Sequence, residues 1–273
     1  MNSVPGYEIG RIYNRTIAIH ARFGGQQQGG ISTPADYPYV FLFTGESGEQ
    51  FGYSDGWNKD GVFIYTGEGQ KGDMQFVRGN SAIRDHAANG KALHLFASLG
   101  KSKGYRYLGE FCCATWEGRT GTDVEGLERK TLVFHLVPLS AIEPLENQRT
   151  PAAASIRDLR AAAYAAASEA AQAEPKSAKR IVYERSAAVR DFVLARAAGT
   201  CELCRMPAPF FRPNGLPYLE PHHIRRVSDG GPDHPRWVGA ICPNCHTEIH
   251  FGLDGNAKNQ ALKDYVRQLE DQH

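Results

Sequence analysis

Residues 219–250 read LEPHHIRRVSDGGPDHPRWVGAICPNCHTEIH. The stretch contains residues of two types that bind metals: the histidines His222, His223, His246 and His250 and the cysteines Cys242 and Cys245. Gly230, Gly231 and Pro232 predict a turn between its two halves. His246 and His250 are four positions apart, so a helix would place both side chains on one face. This pattern is typical of a metal site.

A second Cys-x-x-Cys pair, Cys201 and Cys204, precedes this stretch. Together the pairs Cys201/Cys204 and Cys242/Cys245 supply the four thiolates of a tetrahedral structural zinc. Because Zn²⁺ with four sulfur ligands has no open position, we expect this site to stabilise the fold. The histidines are then available for a second metal with an open position. The alternative is a zinc ribbon whose histidines are ordinary polar surface.

The runs CELC, PHHI and CPNCH, with the glycine pair and the final histidine, resemble the zinc-containing form of the HNH nuclease family. The resemblance covers residues 185–251 and implies two β-strands and a helix around one catalytic metal. It implies that His223 is the general base that deprotonates the attacking water. It also implies that the metal ligands are His222, His246 and His250. Phosphodiester cleavage needs such a base and a cation, and an imidazole titrates near neutral pH.

The stretch departs from the family pattern at Trp237, where the family has a central asparagine that braces the loop. An indole N–H donates a hydrogen bond but cannot accept one, so Trp237 cannot replace both functions of an amide. The identity of the catalytic metal stays open. Histidine ligands favour later transition ions, whereas cellular abundance favours Mg²⁺, so Mg²⁺, Mn²⁺ and other transition ions are all candidates.

Residues 1–140 are rich in glycine and aromatic residues and predict short strands separated by turns. The predicted strands are 16–20, 39–43, 61–65, 105–114 and 131–137. One helix is predicted over 81–88, with Asn80 as its N-cap. This pattern is typical of a closed or nearly closed β-barrel with a helix packed outside, so the predicted fold class of the chain is α+β.

Residues 52–83 read GYSDGWNKDGVFIYTGEGQKGDMQFVRGNSAI and resemble the SRA (SET and RING associated) domain, a PUA-like barrel that reads modified cytosine. In that family the modified base is flipped out of the duplex and held between two aromatic rings. The resemblance places the stacking rings at Tyr53 and Tyr65 and the carboxylate that reads the base at Asp55. The alternative is that both tyrosines are core residues of the barrel.

Two loops of this region have two interpretations each. Residues 20–32 are rich in glycine and glutamine, which suits either a loop that enters a DNA groove or a disordered connection. Residues 101–107, KSKGYRY, combine basic and aromatic side chains, which suits either a phosphate-contacting loop or a solvated turn into a strand.

Residues 152–174 are dominated by alanine and predict one helix between Pro151 and Pro175. Its small side chains favour a stiff spacer, or a helix that pairs with a partner chain, over a core helix. Further helices are predicted over 186–198 and 257–269. The expected domains are therefore an SRA-like domain at 1–140, a helical linker at 141–183 and an HNH domain at 184–273.

The formal net charge is +1, but residues 176–236 carry eleven Lys and Arg against six Asp and Glu. We therefore expect the nuclease region to supply most of the neutralisation of DNA phosphates. No apolar run approaches the length of about twenty residues that a transmembrane helix needs, and no signal-peptide pattern is present. We expect a cytoplasmic protein without a membrane partner.

Together these features predict a modification-dependent DNA endonuclease, similar to type IV restriction enzymes. Its expected substrate is double-stranded DNA that contains 5-methylcytosine or 5-hydroxymethylcytosine, and its expected cofactors are a structural Zn²⁺ and a divalent catalytic metal. One HNH site cuts one strand, so a homodimer is expected. The alternatives are a modification-independent HNH nuclease and a noncatalytic reader of modified DNA.

Overall fold

The structure, a computed structural model, describes residues 6–45, 55–141, 154–168, 170–224 and 233–272. These residues divide into two compact units. The N-terminal unit consists mainly of residues up to 143 together with 169–183, and the C-terminal unit of residues 144–168, 184–226 and 231–273. Each unit has its own hydrophobic core. Within the described ranges, no helix combines the length and the apolar character needed to cross a membrane.

A mixed sheet of nine strands, counted within the described residues, forms the N-terminal unit. In chain order the strands are β1 (Ile12–Tyr13), β2 (Ile31–Ser32), β3 (Tyr39–Thr44), β4 (Gly56–Trp57), β5 (Phe63–Thr66), β6 (Ala92–Ser98), β7 (Tyr105–Thr122), β8 (Glu128–Pro138) and β9 (Ala171–Gln172). Their order in the sheet is β2-β3-β6-β7-β8-β5-β4, and β1 and β9 both pair with β7. Antiparallel pairing of β7 with β8 forms the long centre of the sheet.

The sheet curves back on itself. The hydroxyl of Tyr65 on β5 donates to the carbonyl of Gly30 at 2.7 Å and lies 3.5 Å from the carbonyl oxygen of Phe43 on β3. Three strands separate β3 from β5 in the hydrogen-bonded order. In a flat sheet, strand spacing would hold them about 19 Å apart. The curvature agrees with the predicted barrel-like fold.

One predicted strand of this unit is wrong. Residues Arg15–His20 form a helical segment, which is continued by α1 (Ala21–Phe23). Asn14 caps this segment because its side-chain oxygen accepts a hydrogen bond from the Ile17 N–H at 3.0 Å. The cap satisfies a backbone donor at the start of the helix, and this outweighs the strand preference of the isoleucines.

The predicted N-cap of the next helix is also wrong. Helix α2 (Arg78–Arg84) begins earlier than expected, and Val77 occupies its N-cap position. Asn80 is buried inside the helix, where its side chain bonds to the backbone of Glu68 and Gln75. Satisfying the backbone of a neighbouring loop is a tertiary role, which local sequence does not indicate.

The alanine-rich segment differs from the predicted spacer. Its helix, α3 (Ile156–Ala166), is shorter than the predicted 152–174, and β9 follows it. Ala163 and Ala167 are fully buried in the core of the C-terminal unit. Alanine side chains are small, so this helix face packs closely against its neighbours. The segment is therefore part of a core, which corrects the expectation of a free helical spacer.

The remaining elements are α4 (Ala178–Ala197), β10 (Glu220–His223), β11 (Val238–Ile241), α5 (Pro243–Phe251) and α6 (Gly255–Asp271). Strands β10 and β11 form an antiparallel pair in which His222 faces Gly239. A Cβ atom at Gly239 would lie 2.9 Å from the side chain of Leu262 on α6. Glycine at this position therefore allows α6 to pack directly against the strand pair. The predicted helices at 186–198 and 257–269 correspond to α4 and α6.

Candidate functional site

The four cysteines Cys201, Cys204, Cys242 and Cys245 converge in the C-terminal unit. Their sulfur atoms lie within 4.8 Å of one another. The loop that carries the first pair is closed by backbone bonds, including Cys201 N–H to Met206 O at 2.9 Å. The second pair spans the end of β11 and the start of α5. Four thiols at this spacing are compatible with tetrahedral zinc, as predicted.

Hydrogen bonds favour the thiolate form of Cys201. Burial alone would raise its pKa, but N–H groups from Cys204, Cys242 and Leu203 together lower the pKa of the Cys201 thiol. The Cys242 N–H approaches the Cys201 sulfur at 3.2 Å. Because thiolates are the form that binds zinc, this loop is already arranged for a metal ligand.

Three histidines form a second cluster in the same unit. Strand β10 carries His222, and one face of α5 carries His246 and His250. Their candidate ligand atoms lie within 4.8 Å of one another, and their ring centroids are 5.0–5.2 Å apart. The four-residue spacing on α5 therefore places two rings against a strand residue, as the sequence predicts.

Each of two rings in this cluster has one nitrogen held by a neighbouring side chain. His246 Nδ1 lies 2.6 Å from a carboxylate oxygen of Glu220, and His222 Nε2 lies 3.1 Å from Oδ1 of Asn259. The opposite nitrogens, His246 Nε2 and His222 Nδ1, are buried and have no hydrogen-bond partner among the described residues. Buried nitrogen lone pairs need a partner, so the residues present fit a divalent metal.

His222 is the most buried ring of the cluster, with 1% of its surface exposed. Burial is the main cause that lowers the pKa of His222 to about 3, and the nearby rings of His246 and His250 lower it further. The ring is therefore neutral at pH 7, which is the form that binds a metal.

His223 points to a different partner. Its Nε2 lies 3.0 Å from Oδ1 of Asp233, and the carboxylate of Asp233 is largely buried. Successive residues of a strand face opposite sides, so His222 and His223 separate into two environments. His222 belongs to the three-ring cluster, and His223 is paired with a carboxylate.

The N-terminal unit contains a cavity of about 430 Å³ at the curved part of its sheet. It is lined by Arg15, Gly29, Gly30, Ile31, Phe43, Thr44, Gly45, Asp55, Tyr65, Thr66, Gly67, Glu68, Gly69, Gln70, Ser98 and Tyr105. Asp55 accepts hydrogen bonds from the Thr44 hydroxyl and from the Thr66 N–H, both at 2.7 Å. Burial raises the pKa of Asp55, and these bonds oppose the increase. The cavity is thus bordered by aromatic residues and a fixed carboxyl group, and Tyr65 is also part of the buried core, with 2% of its surface exposed.

A second cavity of about 630 Å³ shares Arg15, Ser98 and Tyr105 with the first. Lys101 and Ser102 line it, and so does Gln27 from the glutamine-rich loop. The two loops with two interpretations each, residues 20–32 and 101–107, therefore both border cavities. Within the glutamine-rich loop, the carbonyls of Gly29 and Gln26 accept hydrogen bonds from Arg15.

Residues 9–157 match the protein family described as ScoMcrA-like, SRA domain, and this match covers more than half of the 273 residues. The chain belongs to this family. The SRA resemblance predicted from residues 52–83 is confirmed. Residues 201–252 match the family described as HNH endonuclease, so the predicted combination of an SRA domain and an HNH endonuclease domain is also confirmed.

A curated relative and two solved structures are similar to this SRA–HNH chain. The chain is 37% identical over 89 residues to the Type IV methyl-directed restriction enzyme EcoKMcrA of Escherichia coli (strain K12). These 89 aligned residues are 33% of this chain and 32% of the relative. The chain thus matches about a third of that relative's length. The structure of the Type IV phosphorothioation-dependent restriction endonuclease ScoMcrA has a TM-score of 0.40 at 22% identity, covering 97% of this chain and 64% of that one. The SUVH5 SRA complex with hemimethylated CG DNA has a TM-score of 0.38 at 22% identity, covering 56% of this chain and 99% of that one.

The structure brings together most of the residues that the sequence singled out. In the HNH domain, the three histidines and the four cysteines form the two predicted clusters. In the SRA domain, Asp55 and Tyr65 line one cavity, while Tyr53 lies outside the described residues. Their roles as base, ligands and base-pocket residues stay predictions.

Sequence reasoning missed the side chains that hold these residues in place. Glu220, Asp233 and Asn259 bond to the histidines, and Arg15 and Tyr105 line the SRA cavity. Asp233 and Glu220 lie within residues 219–250, close in sequence to the histidines, so the sequence could have indicated them as hydrogen-bond partners. Asn259 carried no such signal, because 37 positions separate it from His222.

Proposed function

We propose that the protein is a modification-dependent DNA endonuclease that recognises 5-methylcytosine or 5-hydroxymethylcytosine in double-stranded DNA and hydrolyses the phosphodiester backbone. The observation that carries this proposal is the three-histidine cluster beside the His223–Asp233 pair. A noncatalytic zinc module does not require that arrangement. The family match of the SRA domain supports the reading function, and the similarity to EcoKMcrA, a methyl-directed restriction enzyme, supports the use in restriction.

His223 is the proposed general base. When its Nε2–H donates to Asp233, Nδ1 has the lone pair that accepts a proton from water. The carboxylate orients the ring and stabilises the imidazolium that forms after proton transfer. The buried position of Asp233 strengthens this interaction, because water screens it only weakly.

His222, His246 and His250 are the proposed ligands of a divalent cation, either Mg²⁺, Mn²⁺ or another transition ion. When bound, the cation supplies positive charge for the scissile phosphate and the departing oxygen. The buried nitrogens that have no hydrogen-bond partner among the described residues, His222 Nδ1 and His246 Nε2, are the atoms that would hold it. The four cysteines are the proposed ligands of a structural Zn²⁺ that stabilises the HNH domain.

The SRA cavity is the proposed binding site of the flipped base. Tyr65 supplies a ring, Asp55 supplies hydrogen-bond acceptors, and Tyr53 is the proposed second ring. A carboxylate has about four acceptor positions, so the bonds from Thr44 and Thr66 leave capacity for the amino group of cytosine. Burial of one methyl group contributes only about 0.8 kcal/mol, or about fourfold in affinity. Most of the discrimination must therefore come from cavity shape and polar contacts.

The deciding experiment compares cleavage of four otherwise identical plasmids: unmodified, 5-methylcytosine, 5-hydroxymethylcytosine and phosphorothioated. We expect cleavage of the two cytosine-modified plasmids in the presence of a divalent metal, and cleavage roughly a hundred- to ten-thousand-fold slower with His223→Ala. Equal cleavage of all plasmids would identify a modification-independent nuclease. Selective binding without cleavage under any metal would identify a noncatalytic reader.

A homodimer and a cytoplasmic location are part of the proposal. One active site cuts one strand, so a double-strand break is most directly produced by two copies related by a twofold axis. Sedimentation of the protein with and without modified DNA tests the stoichiometry.

A further inference from the structure

Asn259 on α6 contacts both His222 on β10 and Ile224, the residue that follows this strand. Its Nδ2 donates to the backbone carbonyl of Ile224 at 2.7 Å. Its Oδ1 lies 3.1 Å from Nε2 of His222. The Ile224 N–H is in turn bonded to the carbonyl of Trp237 at 2.8 Å. Both the N–H and the carbonyl of Ile224 are thus hydrogen-bonded, and Asn259 links this backbone segment to the ring of His222.

These bonds determine which nitrogen of His222 carries the proton. A backbone carbonyl can only accept, so the amide must direct its NH₂ group to Ile224. Its oxygen then faces His222 and can only accept, which requires a proton on His222 Nε2. Nδ1 therefore holds the lone pair, and it is the buried nitrogen that has no partner among the described residues.

We propose that Asn259 is a positioning residue for the metal site: it fixes the Nε2–H tautomer and the ring orientation of His222, so that His222 binds the metal through Nδ1. Glu220 has the matching role at His246, where a carboxylate can only accept from Nδ1–H and leaves Nε2 as the ligand. His222 on β10 and His246 on α5 thus bind through different ring nitrogens. This inference rests on the metal site of the proposed function.

Trp237 cannot supply this amide to β10, whereas Asn259 on α6 does. Trp237 occupies the position at which the HNH family has a bracing asparagine, and its indole cannot accept a bond from an imidazole N–H. The close packing of Leu262 on Gly239 brings α6 against the strand pair. One turn earlier on α6, Asn259 reaches both β10 and the carbonyl that follows it.

The test uses the whole 273-residue chain with zinc bound at the four cysteines. Nitrogen-15 NMR of the histidine rings in the metal-free cluster should show His222 protonated at Nε2 at pH 7.5. Titration with Co²⁺ should show about 10- to 100-fold weaker binding for Asn259→Ala than for the wild type, which is the usual effect of losing such a partner. Gln260→Ala is the matched control: Gln260 lies on the same helix, is exposed, and donates to Asp264 one turn along, so this variant should bind Co²⁺ normally.

Asn259→Asp separates positioning of the ring from a merely structural role. Aspartate can accept from His222 Nε2–H but cannot donate to Ile224, so it should restore the tautomer and most of the Co²⁺ affinity. Equal loss in the Asp and Ala variants would show that only the bond to Ile224 matters and would overturn the proposal. A wild-type ring protonated at Nδ1 would overturn it as well, even if both variants failed to fold. Failure of the wild type to cleave DNA, with the expected tautomer and affinities, would instead reject the proposed function alone.

Discussion

Arg196 on α4 and Glu270 on α6 form a buried ion pair with 2.7 Å between Nη1 and Oε1, and their side chains are only 8% and 2% exposed. The guanidinium also binds both carboxylate oxygens of Glu202, which lies inside the first cysteine pair. Its Nη2 donates to the carbonyl of Val238 on β11 at 2.8 Å. One side chain therefore joins two helices, the cysteine loop and the strand that leads to the second cysteine pair.

Replacing Arg196 should strongly destabilise the HNH domain. Arg196→Ala leaves the carboxylates of Glu202 and Glu270 buried without this cation, and breaking such a pair costs about 3–5 kcal/mol. The free energy of unfolding in urea measures the loss. Arg236→Ala is the control, because its pair with Asp271 is about half exposed and should contribute about 0–1 kcal/mol. Similar losses in both variants would contradict a special role for the buried network.

Removing one cysteine of the cluster should release zinc and destabilise the same domain. Cys201→Ser takes away one of four sulfur ligands, and metal binding contributes directly to folding at such sites. Metal analysis and circular dichroism give the result. Cys112→Ser, at a buried cysteine of the SRA domain outside the cluster, should keep its zinc. A folded, zinc-replete Cys201→Ser protein would mean that the cluster is not a structural zinc site.

His223→Ala should lose cleavage but keep binding to modified DNA. Proton transfer by a positioned side chain is worth roughly a hundred- to ten-thousand-fold in rate. Asp233→Asn should lose less, because an amide oxygen can still accept from the ring while the negative charge is gone. Single-turnover cleavage and gel-shift assays give both quantities. Cleavage by His223→Ala within tenfold of wild type would exclude His223 as the base.

Asp55→Asn should reduce the preference for modified over unmodified DNA. The amide fills the same space, but an NH₂ group replaces one of the acceptors in the cavity. A mispaired buried polar group costs about 1–3 kcal/mol, so the preference should fall by about tenfold or more. Competition gel shifts in the His223→Ala background avoid cleavage. Asp60→Asn, at an exposed turn, is the control, and unchanged discrimination by Asp55→Asn would place the base elsewhere.

The SRA domain should lose stability in mild acid because of His94. Burial lowers the pKa of His94 to about 3, below the usual value of 6.5. Between these two values the unfolded chain binds a proton at this residue and the folded chain does not, so stability falls as pH decreases. Melting temperatures from pH 7 to pH 4 should fall less for His94→Phe than for wild type. Parallel pH curves for the two proteins would assign the acid sensitivity to other groups.

The local sequence was sufficient for the chemistry of the HNH domain. Metal binding depends on residue types and on short spacings, and Cys-x-x-Cys pairs and histidines four apart on a helix place their ligands within one turn. The two clusters therefore follow from motifs once the elements exist. In the SRA domain the same is true of the long apolar runs that became β3 and β8, since burial of a strand is visible in its own residues.

Tertiary structure alone decided how these residues are supported. The bond from Asn259 to His222, the curvature that brings Tyr65 to Gly30, and the contribution of Arg15 to the cavity all join positions far apart in the chain. The alanine-rich segment shows the same limit, because small side chains suit both an exposed spacer and a closely packed helix. Such choices depend on the free energy of packing between distant segments, and a residue's sequence neighbours do not contain that information.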